Sequence, residues 1–133
     1  MRSFKDASLK QSVALPNAAN TTNTNSISLG APGGFPVNEK FAVRLSTTAG
    51  TGANNKNVTI VLQGSNEAAA NFTNITGLST IVIPEVSTSY AATNRDVVLP
   101  PSFAKTYIRA SATGEANGGN AGDTGVMTLE LLF

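Results

Sequence analysis

The sequence predicts an all-β domain, either two packed sheets or a closed barrel, on three observations. Short apolar stretches alternate with polar residues at a period of two, as half-buried strands require. Glycine- and proline-containing punctuation falls between those stretches. Helical periodicity of apolar residues is missing, while Ser, Thr and Asn make up 42 of the 133 residues. Leu, Ile, Val and Phe number 32, about a quarter of the chain, which is above the disordered range and enough for one core.

Residues 1–24 are polar, rich in small side chains and interrupted by Pro16, and are expected to extend as an arm that adds little to the core. The arm is locally basic, with Arg2, Lys5 and Lys10 against Asp6 alone. Phe4, Leu9, Val13 and Leu15 are its sparse apolar positions. These seven cationic and apolar residues are expected to anchor the arm as it orders on a partner. A frayed terminus and an additional edge strand are the competing expectations.

The β-domain is expected over residues 25–133. "NSISLG" places Ile27 and Leu29 on one face, and "APGGFP" supplies a turn-forming loop. "KFAVRLSTT" sets Phe41, Val43 and Leu45 against Ala42, Arg44 and Ser46, and "VTIVLQGS" sets Val58, Ile60 and Leu62 against Thr59, Val61 and Gln63. With the loop "AGTGANNKN" between them, these two strands are expected to pair as a hairpin. "NEAAANF" suits one helical turn after Ser65. "STIVIP" and "RDVVLPP" are apolar runs ended by prolines, consistent with strands buried on both sides or lying at an edge. "TYIRASA" sets Ile108, Ala110 and Ala112 against Tyr107, Arg109 and Ser111, and "VMTLELLF" sets Met127, Leu129, Leu131 and Phe133 against Thr128 and Glu130. Between the last two strands, "GEANGGNAGDTG" is expected to be a hairpin tip.

Composition narrows the function. Formal net charge is +1, so neither a nucleic-acid-binding nor an anionic-membrane surface is indicated. The absence of Cys and His removes disulfides, thiolate ligands, the usual general base and the commonest metal ligand. No apolar stretch reaches signal-peptide or membrane-span length, so a soluble protein made in the cytoplasm is expected.

The glycine-rich stretch departs twice from a calcium-binding nonapeptide, at Ala121 and Gly125, and no Gly-Lys-[Ser/Thr] follows it as in a phosphate loop. The eight carboxylates are scattered without an evident pair. No enzyme activity, cofactor, metal or small-molecule substrate is expected. Tyr107 and Arg109 share the outward face of one strand and are residue types that dominate protein interface hot spots, so they are expected to meet a partner.

The order of an N-terminal arm, "NSISLG", "KFAVRLSTTAG", "NVTIVLQGSNEAA", "VVLPPSFAKTYIRASATGEANGG" and a closing "GVMTLELLF" resembles the capsid cement, or decoration, proteins of tailed bacteriophages. The similarity covers residues 25–133, with Pro100 to Gly119 the closest match. The resemblance implies a jelly-roll-like antiparallel β-sandwich on the outer surface of a virion, made in a bacterial host. It implies binding across neighbouring major capsid subunits, stabilisation of the head against internal DNA pressure, and a dimer or trimer on a symmetry axis. The competing expectation is a β-sandwich recognition module for glycan or host surface within a fibre or adhesin.

Overall fold

The chain folds into two antiparallel sheets, and the computed structural model describes residues 10–16, 20–29, 42–50, 58–75, 81–83, 91–99, 105–114 and 125–132. The first sheet contains β1 (Lys10–Ala14), β10 (Val126–Leu132), β4 (Ala42–Thr47) and β8 (Thr93–Val98), side by side in that order. At the centre of the second are β9 (Tyr107–Gly114) and β5 (Val58–Ser65), paired over eight residues. The short strands β2 (Thr21–Asn23) and β3 (Ile27–Ser28) share the outer edge of β9, and β6 (Thr73–Asn74) and β7 (Ile81–Ile83) share that of β5. Each sheet is thus four strands wide, with two interrupted edges in the second. Counting each interrupted edge as one strand, the orders are 1-8-3-6 and 2-7-4-5, the connectivity of a jelly roll.

Period-two alternation positions the core. Val43 and Leu45 on β4, Met127, Leu129 and Leu131 on β10, and Val58, Ile60 and Leu62 on β5 are all buried, each with its sequence neighbours turned outward. Such side chains contribute about 2 kcal/mol apiece in gross burial. On β9 the inward positions are Ile108, Ala110 and Ala112, with no exposed surface. Ala110 and Ala112 face Leu62 and Ile60 across the ladder, so small residues on one central strand stand beside large ones on the other.

The described part of the expected arm is built into the sandwich. β1 pairs with β10 through five residues, and Leu15 and Pro16 beyond it are fully buried. Thr24 is buried as well; its N–H donates to the Ala110 carbonyl, and its hydroxyl accepts from the Ala110 N–H at 3.0 Å. The boundary expected after residue 24 therefore does not hold from Lys10 onward, and the edge-strand expectation describes this segment. The alternation is hard to see because an edge strand covers only the rim of the core: Val13 packs against the core cluster, while Gln11 also points inward and stays half-buried.

Three other expectations change. β4 and β5 do not form a hairpin; they lie in different sheets, because successive strands of this topology cross between layers. The same holds for β9 and β10, so the glycine-rich stretch joins two sheets, and its residues 115–124 lie outside the described residues. Residues 66–70 form successive bends, not a helical turn. The Ser65 hydroxyl accepts from the Glu67 N–H at 3.0 Å and donates to the Ala70 carbonyl at 2.6 Å, closing the segment through a side chain.

Candidate interaction surfaces

On the outer face of the second sheet, Arg109 occupies a built site. β2 and β3 both pair with β9, but in registers that differ by one: Thr22 faces Ala112 and Asn23 faces Ser111, whereas Ile27 faces Ile108 and Ser28 faces Tyr107. The edge therefore carries one extra residue at Asn25–Ser26, a β-bulge opposite Arg109. The Ser26 hydroxyl donates to the Ala68 carbonyl at 2.7 Å, docking the 66–70 segment beside the bulge. Asn71 turns the chain at φ 56°, a left-handed conformation that Asn tolerates, and its amide donates to Glu67 Oε1 at 2.6 Å. That turn delivers Phe72, whose ring lies 4.1 Å from the Arg109 guanidinium carbon.

Neutral groups hold the rest of this cation. Arg109 Nε donates to Gln63 Oε1 at 2.9 Å, and Gln63 Nε2 donates to Asn74 Oδ1 at 3.0 Å, a chain across β9, β5 and β6. Among the described residues no carboxylate forms a salt bridge with Arg109. Burial lowers its pKa, yet a guanidinium remains charged at any ordinary pH. The result is a rigid cation with a stacked face, one committed donor and terminal N–H groups arranged as a carboxylate-binding fork.

The outer face of the first sheet treats its arginine differently. Arg44 makes a bidentate contact with Asp96 on β8, Nε to Oδ1 at 2.8 Å and Nη2 to Oδ2 at 3.0 Å. The hydrogen bond raises Arg44 above its ordinary value and holds the Asp96 carboxyl below the usual carboxylate range. Register extends this pair into a row across all four strands: Lys10 faces Glu130, Glu130 faces Arg44, and Arg44 faces Asp96. Beside it runs a hydroxyl and amide row, Ser12, Thr128, Ser46 and Asn94, with Ser12 and Thr128 hydrogen-bonded at 2.8 Å. On the other side runs an apolar row, Leu132, Ala42 and Val98, and Val98 is 53% exposed.

The expected partner-binding residues thus separate. Tyr107 and Arg109 lie half-exposed on β9 as expected. Lys10 is exposed on β1, whereas Leu15 is buried in the core and Val13 is half-buried against it. Arg2, Phe4, Lys5 and Leu9 lie outside the described residues. Phe72, Gln63 and Asn74 were not singled out from sequence. Gln63 was readable as outward, but only the register brings the three around Arg109. Among the described residues no three His, Cys, Asp or Glu gather as a metal cluster would, and no helix is long and apolar enough to cross a membrane. No protein-family model matches the chain, and no curated protein matches it.

Proposed function

We propose that this chain is a capsid decoration protein of a tailed bacteriophage, bound to the outside of the head across neighbouring major capsid subunits and stabilising it against internal DNA pressure. The jelly-roll connectivity supports the reading at the level of fold, where likeness alone is analogy. The observation that carries it is Arg109. Its stacked and hydrogen-bonded guanidinium has no carboxylate partner among the described residues, so this surface is prepared for an acidic group of another molecule. Exposed carboxylates of a capsid subunit supply that chemistry, and Tyr107 stands two residues away on the same face.

The test is location and copy number on purified virions, by immuno-electron microscopy and quantitative mass spectrometry. Hundreds of copies spread over the head are expected. A few copies confined to the tail would overturn the reading in favour of a fibre or adhesin module. On heads stripped of the protein, Arg109→Ala is expected to weaken rebinding by about 2 kcal/mol, roughly thirtyfold in Kd.

A further inference from the structure

We propose that the outer face of the first sheet binds a second copy of the chain, related by a two-fold axis lying between the sheets and parallel to the strands. The argument starts from the charged row, which reads plus, minus, plus, minus from Lys10 through Glu130 and Arg44 to Asp96. An alternating row with an even number of members is complementary to its own reversal. A two-fold axis along the strands and midway between β10 and β4 reverses the row across the sheet. It sets Lys10 over Asp96 of the second copy and Glu130 over Arg44 of the second copy, with the reciprocal pairs completing the set.

The flanking rows choose the same axis. A rotation along the strands keeps each row at its own height, so Leu132 and Ala42 lie over Ala42 and Leu132 of the second copy, and the hydroxyl row meets the hydroxyl row. The other in-plane axis, perpendicular to the strands, places Lys10 over Lys10 and sets the apolar row against the hydroxyl row. The pattern therefore rejects that arrangement twice. Parallel strand directions at a spacing of about 10 Å match the aligned mode of sheet packing, and long Lys, Glu and Arg side chains span that gap. The face is small, about 20 Å across four strands and about 17 Å along them. It falls short of the roughly 800 Å² that each partner gives to a standard interface. The association is accordingly weak and concentration-dependent, and it does not depend on the capsid reading.

Two charge exchanges separate this proposal from a row that merely neutralises itself. Arg44→Asp with Asp96→Arg keeps the ion pair within one copy, but it opposes like charges at all four positions across the two-fold. Arg44→Glu with Glu130→Arg sets like charges side by side twice within one copy, yet it restores all four opposite pairs across the two-fold. Sedimentation equilibrium from micromolar to millimolar protein is the assay, with thermal melts confirming that each variant is folded. The wild type is expected to move from 13.6 kDa toward twice that mass. The first exchange is expected to weaken dimerisation at least about tenfold, and the second to retain it. A wild type that stays monomeric throughout overturns the proposal. So does a first exchange that dimerises as the wild type does, or a second that does not dimerise.

Discussion

Leu15→Ala tests whether the N-terminal segment is part of the sandwich. Leu15 is 2% exposed and belongs to the core cluster, and its backbone N–H donates to the Gly125 carbonyl at 3.0 Å. Truncation removes buried methyl groups from a site held at its backbone, so the surroundings collapse only in part; about 3 kcal/mol is the expected cost. Unfolding entropy of about 2.1 cal/mol/K per residue gives a chain of this length about 0.28 kcal/mol/K, so each kcal/mol moves Tm by nearly 4 °C. The expected fall is about 11 °C, read by differential scanning calorimetry at low micromolar protein. Lys10→Ala on the exposed face of the same segment is the control, expected within about 2 °C of wild type. A dispensable arm would leave both variants at the wild-type Tm. That outcome for Leu15→Ala would refute the placement of β1 and its continuation.

Two further perturbations probe the interior and the charged face. Thr24→Val keeps the side-chain shape but strands the Ala110 N–H in a buried ladder, with an expected loss of about 1–3 kcal/mol, or about 4–11 °C in Tm. Thr24→Ser, which keeps the acceptor, should recover part of that loss in the same melts. Asp96 has a folded pKa depressed below 3.8, so its contribution is present above that pH and disappears as pH falls through the folded value. The Tm difference between wild type and Asp96→Asn should therefore be constant near neutrality and shrink below pH 3.8. A difference that widens in acid would reverse the sign assigned to this pair.

Facing was legible in the sequence because it depends only on period two. Val43 and Leu45, Val58, Ile60 and Leu62, and Ile108, Ala110 and Ala112 are inward as the alternation predicts. Which strands lie next to one another was not legible, since alternation says nothing of neighbours: β4 faces β8 and β10, and not the strand that follows it. The same limit hides both surfaces. Lys10, Glu130, Arg44 and Asp96 come from four separate segments and become a row only once register is fixed. Arg109 is visible as outward, but the bulge opposite it appears only as a one-residue offset between β2 and β3.

The two proposals constrain each other, because a dimer whose axis runs along the strands presents both copies' strand ends in the same direction. Thr22 Oγ1 donates to the Ala14 carbonyl, and Gly114 N–H donates to the Asn20 carbonyl, so the Val126 end of the first sheet lies with the Thr21 end of the second. The opposite end then gathers Arg109, Phe72, the 66–70 bends and the apolar row with Val98. A dimer seated on a two-fold of the head has its axis along the surface normal, so it stands on one of these ends. The Arg109 end carries the open cation and the exposed apolar side chain, and it is the end expected to touch the head. The chain has no cysteine, so Ala68→Cys at that end and Ala49→Cys at the other each carry a photocrosslinker at a unique site. Both residues are exposed. Crosslinks to the major capsid protein are expected from position 68 and not from position 49. The reverse pattern would show that the dimer stands the other way up, and equal crosslinking from both would show that it lies flat, which a two-fold along the strands forbids.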